Sequence, residues 1–357
     1  MIPYGRQHVD QDDIDAVVAV LRSDFLTTGP VVGAFEDAVA ERVGARHAVA
    51  FSSGTAGLHA AAVAAELGPG DVVATPSLSF VASANCARYV GAEVTFVDIE
   101  EDTLNLDPAA VPEVDALVAV HFAGLPVALD RLQRRPRVVI EDAAHAFGAI
   151  GPDGPVGNCA RSDMCVFSFH PVKTITSAEG GMVTTNSDEL AARLRRFRNH
   201  GIDPIGRPEP WAYDISELGF NYRLSDVHAA LGRQQLRRTD DFIDRRNLIA
   251  FGYDAAFADL SVVRPANAPD GWLHARHLYP VRVGHRREVF DELRAQGVGV
   301  QVHYTPIHHL SAFADVDVDL PMTERVASSL LSLPLFPTLT VEDQDRVIAA
   351  LGEVVAG

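Results

Sequence analysis

The chain has 357 residues, 47% of them apolar, and a formal net charge of −18, so it can bury a large core and has room for two domains. The acidic balance argues against nucleic acid or an anionic membrane as the main partner. Three cysteines form an odd set without the spacing of a disulfide framework, which predicts reduced thiols in a cytoplasmic protein. Because no stretch reads as a signal peptide or a membrane-spanning helix, we expect a soluble, unprocessed protein.

Apolar strands alternate with helices through the first two thirds of the chain. We predict strands at residues 47–51, 72–75, 93–99, 116–121, 137–142, 164–169 and 181–185. We predict helices near residues 10–23, 35–44, 58–67, 81–90, 188–199, 225–237 and 240–258. This alternation is typical of an α/β fold with a mostly parallel sheet.

The last third of the sequence predicts a smaller second domain. Its predicted strands are at residues 278–283 and 300–304, and its helices at 287–296, 322–332 and 341–355. We expect a large domain at residues 1–238 and a small one at 239–357, with the N-terminal segment packed on the small domain. The long loop rich in proline and glycine at residues 200–217 is expected to be functional or an interface element.

Lys173 is the only lysine of the sequence, beside 29 arginines. Arginine replaces lysine in salt bridges, but its guanidinium stays protonated and cannot attack a carbonyl. A single retained amine therefore points to Schiff-base chemistry, which needs a neutral amine. Composition alone equally allows a surface lysine that escaped a compositional bias, so the surrounding residues have to decide.

The segment SSGTAG at residues 52–57 follows a predicted strand and precedes an alanine-rich helix. A helix that begins after such a turn presents free backbone N–H groups to an anion, which makes Gly54 and Thr55 candidate phosphate ligands. The same residues also suit an ordinary turn in which serine and threonine cap the helix.

Asp142 ends an apolar predicted strand, and His145 follows three residues later. A carboxylate at that position needs a partner, because burying it unpaired is costly. A protonated pyridine nitrogen is one such partner, and capping of the next turn is an equal alternative. His145 either contacts the same ligand or satisfies a loop carbonyl.

Residues at the carboxyl ends of parallel strands meet at one edge of the sheet, where ligands of α/β folds bind. We therefore expect Ser53, Asp142, His170 and Lys173 to converge at this edge. The anion cradle at residues 54–55 and the hydroxyl of Ser168 complete the set. This set suits pyridoxal phosphate, whose phosphate, ring nitrogen and aldehyde need hydrogen-bond donors, a carboxylate and a lysine. Phe80 is placed to stack on the ring, although an aromatic residue after a strand is more often part of the core.

Fourteen histidines raise the alternative of a metal site. His303 and the adjacent His308 and His309 are suggestive. Their spacings match no metal-binding motif, so we expect no metal in the functional site.

Four segments together resemble the DegT/DnrJ-type nucleotide-sugar aminotransferases. They are SSGTAG at 52–57, EDAAHA at 141–146, FSFHPVKTITSAEGG at 167–181 and GFNYRL at 219–224. The resemblance covers essentially the whole chain and implies the fold type I architecture of pyridoxal-phosphate enzymes. That architecture has a large domain with a mostly parallel seven-stranded sheet flanked by helices, plus a small C-terminal α/β domain.

Three further segments are most similar to the branch of the family that acts in pseudaminic acid biosynthesis. They are IPY at 2–4, DFLTTG at 24–29 and QVHYTPI at 301–307. The resemblance implies transfer of an amino group from L-glutamate to the 4-keto carbon of a UDP-4-keto-6-deoxy-N-acetylhexosamine, leaving 2-oxoglutarate. Other UDP- or dTDP-4-keto sugars remain alternatives, because related enzymes share nearly the same cofactor motifs.

The resemblance also implies roles for matching residues. Lys173 would form the Schiff base and move the proton, Asp142 would pair with the ring nitrogen, and His145 would contact the ring hydroxyl. The implied phosphate and ring contacts are Gly54, Thr55, Ser168, Phe80 and, from the other subunit of a homodimer, Asn221. The implied sugar-nucleotide contacts are Tyr4, Asp24, Phe25, Leu26, Thr27, Gln301, Val302, His303 and Tyr304, with Gly54, Ser168 and Asn221 shared.

Two other functions are compatible with the same fold. Some relatives are cofactor-dependent sugar dehydratases, which have a histidine in place of the lysine, and a non-catalytic regulator would be expected to lose Asp142 or Lys173. This chain has both residues, which favours the aminotransferase.

Overall fold

A computed structural model describes residues 1–203, 209 and 211–356 of the chain. The α-helices in this part are α1 Gln11–Leu21, α2 Pro30–Val43, α3 Gly54–Ala64, α4 Ala82–Tyr89, α5 Asp188–Arg198, α6 Asp226–Leu236, α7 Thr239–Ala256, α8 Arg286–Ala295, α9 Pro321–Ala327 and α10 Val341–Ala356. The first seven strands are β1 His47–Phe51, β2 Val72–Pro76, β3 Glu93–Val97, β4 Ala116–Val120, β5 Val138–Asp142, β6 Ile150–Gly151 and β7 Gly154–Pro155. The remaining strands are β8 Met164–Ser168, β9 Gly181–Thr185, β10 Ile202–Asp203, β11 Asp214–Ile215, β12 Val262–Val263, β13 Tyr279–Val283 and β14 Leu330–Leu333.

Seven strands form one large sheet in the order β1-β9-β8-β5-β4-β2-β3. Strand β9 is antiparallel to both of its neighbours, and the other pairs are parallel. The predicted α/β fold with a mostly parallel seven-stranded sheet is confirmed. Because β9 alone is reversed, the carboxyl ends of the other six strands share one edge.

The alanine-rich helix α3 lies close against the centre of this sheet. A Cβ at Gly57 would lie 3.0 Å from Cγ1 of Val166 and 3.2 Å from Cγ2 of Val183. Small residues thus let the helix approach β8 and β9, and the helix begins at Gly54 directly beside the strand ends. The N-terminus of α3 is thereby fixed at the edge where ligands of such sheets bind.

Strands β12, β13 and β14 form a second, antiparallel sheet. Its core includes residues of α7, α8 and α10, and Ile2 is buried within it. The backbone N–H of Ile2 donates to the carbonyl of Gly297 at 2.8 Å, and Gly299 donates to the carbonyl of Ile2 at 2.7 Å. The N-terminal segment therefore contacts the C-terminal third of the chain, while the domain boundary at 238/239 stays a prediction.

Two predicted elements near the C-terminus are wrong. Residues 300–304 form no strand, because only Gln301 makes an isolated bridge, to Ser332. Residues 328–332 are not helical: α9 ends at Ala327, and the buried, apolar segment Leu330–Leu333 pairs with β13 instead. All four residues of Leu330–Leu333 are buried, so pairing with β13 outweighs the helical spacing that the sequence suggested.

The predicted loop at residues 200–217 contains the short antiparallel pair of β10 and β11. Residues 204–208 and 210 of that loop lie outside the described residues. In the described part of the chain, none of the helices has the length and apolar character needed to span a membrane.

Candidate active site

A cavity of about 390 Å³ opens beyond the carboxyl ends of the large sheet's strands. Ten of the residues predicted from the sequence line it: Tyr4, Gly54, Thr55, Phe80, Asp142, His145, Ser168, Lys173, His303 and Tyr304. Residues from β5, β8, the N-terminus of α3 and the C-terminal third of the chain therefore share one space, as the strand-end argument requires.

The N-terminus of α3 forms one wall of the cavity. Ser53 caps the helix and accepts a hydrogen bond from the N–H of Ala56 at 3.1 Å. A Cβ at Gly54 would lie 2.9 Å from Cβ of Ser168, so only glycine fits there without displacing the serine. The N–H groups of Gly54 and Thr55 have no acceptor within the helix, and with the Ser168 hydroxyl they suit an anion.

Asp142 lies at the end of β5 and is almost fully buried, with 5% of its surface exposed. Its Oδ2 accepts a 2.6 Å hydrogen bond from Ser83, and its Oδ1 accepts one from the N–H of Ala144 at 3.2 Å. Ser83 also contacts Ser79, at 2.9 Å between the hydroxyl oxygens. A buried carboxylate held in this way is suited to a cationic ring nitrogen in the cavity.

His145 is the second predicted residue of this segment, and its ring is fixed from two sides. Its Nε2 lies 3.1 Å from the hydroxyl of Tyr304, and its ring centroid lies 4.3 Å from that of His277. Burial, with further effects of Lys173 and His303, lowers the pKa of the His145 imidazole well below its usual value. Among the described residues its Nδ1 has no hydrogen-bond partner, so this buried atom is left for a ligand.

Lys173 follows β8 in a turn in which its N–H donates to the carbonyl of His170 at 2.9 Å. The amine lines the cavity, and desolvation by the surrounding protein lowers its pKa to about 8, although the charge of Asp142 acts in the opposite direction. An amine with this pKa is partly neutral near physiological pH and can act as a nucleophile.

Aromatic rings also line the cavity and form what we call its aromatic wall. The ring centroids of Phe80 and Tyr304 are 6.0 Å apart, and those of Tyr4 and His303 are 5.4 Å apart. Nδ1 of His303 lies 2.9 Å from the hydroxyl of Ser332. Burial and the nearby charge of Lys173 lower the pKa of His303 to about 4, so its imidazole is neutral at physiological pH.

Several predicted substrate residues do not line this cavity within the single chain. Asn221 pairs with Asn199, and Thr27 pairs with Ser225, which brings residues 24–27 and 221 to one face of the molecule. Phe25 and Leu26 are 53% and 50% exposed. The predicted contacts outside the cavity are Asp24, Phe25, Leu26, Thr27, Asn221, Gln301 and Val302.

A second depression, of about 640 Å³, opens on that same face. It is bordered by Thr28 and Asn199, which are neighbours of the predicted contacts, and by Arg223. Arg223 donates to Oδ1 of Asn199 at 2.8 Å. In the single chain, Arg223 lies away from the cavity that holds Lys173.

The sequence analysis missed three residues that shape the site. His277 lines the cavity from the segment before β13, and Ser79 and Ser83 support Asp142 from the loop and helix after β2. No motif marks them, because Ser83 is 59 residues from Asp142 in sequence and Ser79 contacts that carboxylate only through Ser83. Of the three, only Ser79 falls in a segment that carries a signal, the serine-containing run SLSF at 77–80 after a strand.

The cavity contains the kinds of groups that the predicted cofactor needs. The start of α3 with Ser168 provides an anion site, Asp142 faces a cation, and Lys173 provides a nucleophilic amine. His145, whose Nδ1 has no hydrogen-bond partner among the described residues, also lines the cavity. These residues fit pyridoxal phosphate.

A sequence model of the DegT/DnrJ/EryC1/StrS aminotransferase family matches residues 7–352. The chain belongs to this family. Similar solved structures include a putative sugar aminotransferase, Spr1654 from Streptococcus pneumoniae in its PMP form, at 28% identity and a TM-score of 0.93 over 100% of this chain and 99% of that one. The PLP form of Spr1654 is similar at 29% identity over 99% of this chain and 98% of that one, with a TM-score of 0.91.

Two other solved aminotransferases are similar to this chain over nearly their full lengths. Helicobacter pylori PseC, an aminotransferase involved in pseudaminic acid biosynthesis, is 28% identical over 99% of both chains, with a TM-score of 0.91. The sugar aminotransferase CalS13 from Micromonospora echinospora is 31% identical over 99% of this chain and 100% of that one, with a TM-score of 0.90. The 357-residue chain described here is therefore a sugar aminotransferase, and its cofactor is pyridoxal phosphate.

Proposed function

We propose that this sugar aminotransferase transfers the amino group of L-glutamate to the 4-keto carbon of UDP-2-acetamido-2,6-dideoxy-β-L-arabino-hexos-4-ulose, a step of pseudaminic acid biosynthesis. The observation that carries this proposal is the likeness to H. pylori PseC over 99% of both chains. The aromatic wall supports it, because Tyr4, His303 and Tyr304 come from segments predicted to contact the sugar nucleotide and all line the cavity.

The cavity residues take complementary roles in this proposal. Bound pyridoxal phosphate supplies an electron sink for the negative charge that develops at the donor's α-carbon. Gly54, Thr55 and Ser168 hold its phosphate through N–H and hydroxyl donors. Asp142 keeps its ring nitrogen protonated, and Nδ1 of His145 hydrogen-bonds to its ring hydroxyl.

Lys173 has two tasks. With the cofactor bound, its amine would link to the aldehyde carbon, and once free it would hold and pass on the proton that leaves the donor's α-carbon. A pKa of about 8 suits both tasks, because the group can give up and accept a proton near neutral pH. Phe80 covers one side of the cofactor ring and restricts the entry of water.

We further propose a homodimer with shared active sites. Asn221 and residues 24–27 lie together on one face rather than in the cavity of their own chain. In the dimer, Asn221 would reach the phosphate, and residues 24–27 the sugar nucleotide, of the partner's site. Gln301 and Val302 adjoin the cavity residue His303 in sequence and would complete the sugar-nucleotide cleft.

A different 4-keto sugar attached to UDP or dTDP is the second candidate substrate. It stays a candidate because another sugar aminotransferase, CalS13, is about as similar to this chain as PseC is, at 31% against 28% identity. Both candidates use the same cofactor chemistry and differ only at the sugar-nucleotide contacts.

A coupled assay separates the two candidates. The purified protein would be incubated with L-glutamate and either a UDP- or a dTDP-4-keto-6-deoxy sugar, and the 2-oxoglutarate formed would be measured. We expect faster turnover with the UDP-linked N-acetylhexosamine. Preference for a dTDP sugar would overturn the pathway assignment, and absence of turnover with every keto sugar would overturn the proposed acceptor class.

A further inference from the structure

Three metal-ligating side chains meet on the surface outside the cavity. Nε2 of His308 and Nε2 of His309 lie 2.8 Å and 2.6 Å from Oε1 of Glu324. The histidines belong to a 3-10 turn, Ile307–His309, and the glutamate belongs to α9. The spacing of the two histidines matches no metal-binding motif in the sequence, and Glu324 joins them only through the fold.

His308 is oriented before any ligand binds. Its side chain is 13% exposed, and its Nδ1 lies 2.7 Å from the hydroxyl of Ser77. The same hydroxyl accepts a 3.2 Å hydrogen bond from the His308 N–H. Without an ion, the Nε2–H of His308 donates to Glu324; with the ring proton on Nδ1, where the Ser77 hydroxyl accepts it, Nε2 offers its lone pair to an ion instead. A hydrogen bond of this kind at the far nitrogen fixes the tautomer of metal-bound histidines.

We propose that His308, His309 and Glu324 bind a divalent transition-metal ion of the zinc type. Two imidazole nitrogens and a carboxylate oxygen are ligands that Zn²⁺ prefers, whereas Ca²⁺ and Mg²⁺ favour sites made of oxygen atoms alone. The ligand atoms lie within 4.8 Å of one another. Small rotations of His309 and Glu324, which are 44% and 48% exposed, bring them to bonds of about 2.0–2.2 Å. A water molecule completes the tetrahedron.

The bound ion acts as a structural link rather than in the chemistry of Lys173. It joins the 3-10 turn to α9, and Ser77 connects the same turn to the cavity, because the carbonyl of Ser77 accepts a 2.9 Å bond from the N–H of Ile307. Residues 79 and 80 of the segment that begins at Ser77 line the cavity. Metal binding therefore stabilises a contact between the C-terminal third of the chain and a wall of the active site.

Titration of the cofactor-loaded, metal-free protein with ZnCl2, followed by calorimetry, tests this site. We expect one ion per chain at this site, with affinity at least about tenfold weaker in His309→Gln and in Glu324→Gln. His285→Gln is the matched control, because His285 is 83% exposed and faces Glu288 at 3.9 Å, and it should leave binding unchanged. Wild-type protein without saturable Zn²⁺ binding, or equal binding in both ligand variants, would overturn the proposal.

Cobalt provides a second, spectroscopic test. Co²⁺ in the same site is expected to give visible absorption without thiolate charge-transfer bands, because the described ligands are nitrogen and oxygen only. The difference spectrum should disappear in Glu324→Gln and persist in His285→Gln. A spectrum with sulfur ligation would assign the ion to a cysteine and contradict the proposed ligands.

Discussion

The hydroxyl of Ser83 donates a 2.6 Å hydrogen bond to Oδ2 of Asp142, and both groups are buried. The bond joins the first half of α4 to the end of β5. It fixes the rotation of the carboxylate on which the proposed contact to the cofactor's ring nitrogen depends. Ser83 is thus a positioning residue, since it acts on the ring through Asp142.

Replacing Ser83 with alanine is expected to lower kcat/KM about 10- to 100-fold. Loss of a hydrogen bond to a charged group costs about 1.5–3 kcal/mol, and each 1.36 kcal/mol changes a rate about tenfold. Ser79→Ala is the control, because Ser79 contacts Ser83 rather than Asp142, and it should cost less. The glutamate half-reaction measures both, and an S83A enzyme with full activity would contradict the positioning role.

Lys173→Arg is expected to abolish turnover, because a guanidinium stays protonated and forms no Schiff base. Borohydride should attach the cofactor covalently to the wild-type protein and leave the variant unmodified, as measured by intact mass. Circular dichroism would verify that the variant is folded. Transaminase activity in K173R would sink the assignment of Lys173 as the catalytic amine.

The lowered pKa of Lys173, about 8, predicts a pH dependence for cofactor loading. Below this pH the amine is increasingly protonated and cannot attack, so the loading rate of the apoprotein should rise about tenfold per unit and level off above pH 8. The comparison is the rate at which free Nα-acetyl-lysine, whose side-chain amine is unmodified, reacts with pyridoxal phosphate. That rate should keep rising toward the amine's pKa of about 10.4. Parallel profiles for protein and free lysine would argue against the shift.

Gly54→Ala should weaken cofactor binding at least about tenfold, because the added Cβ would lie 2.9 Å from Cβ of Ser168 and displace a proposed phosphate ligand. Gly352→Ala is a matched control. Among the described residues, apart from its chain neighbours and the adjacent backbone of its own helix, no atom lies within 4 Å of its Cβ position, and alanine favours the interior of α10. Fluorescence titration with pyridoxal phosphate measures both dissociation constants. Equal values would show that Gly54 is not part of the phosphate site.

Arg246→Met should lower the free energy of unfolding by about 3 kcal/mol, because carbonyl groups then lose a buried donor. Nη1 of Arg246 donates to the carbonyls of Arg276, His277 and Leu335 at 3.3, 3.3 and 2.9 Å. Urea denaturation measures the change.

Arg287→Met provides the reference for this substitution. Arg287 is 86% exposed and pairs with Asp291 on the surface, so its loss should cost less than about 1 kcal/mol. If the two variants lose the same stability, the buried bonds of Arg246 contribute nothing beyond an ordinary surface arginine.

The sheet and the centre of the site were predictable because each depends on local sequence. An apolar strand followed by a polar residue identifies a strand end, and Asp142 and Ser168 carry that signal. The fold rule for parallel sheets then brings them together. Gly54 and Thr55 were predictable for the same reason, since a small-residue turn before a helix is a local pattern.

The residues that were missed depend on tertiary packing. His277 reaches the cavity through the second sheet, and Ser83 reaches Asp142 from a helix that reads as ordinary core. Residues 300–304 have the apolar pattern of a strand. In the structure, Gln301 forms one isolated bridge, to Ser332, and the ring of His303 contacts the hydroxyl of the same serine. Contacts between segments that are far apart in the chain leave no periodic pattern in either segment, so the sequence alone could not predict these residues.

The isolation of Lys173 in the sequence also turns its place in the cavity into an analytical tool. A protease that cuts only after lysine divides the denatured chain into two pieces, residues 1–173 and 174–357. A cofactor fixed on that amine masks the cleavage point and leaves the polypeptide whole. The ratio of intact to divided chain on a gel therefore counts the fraction of molecules loaded at this amine.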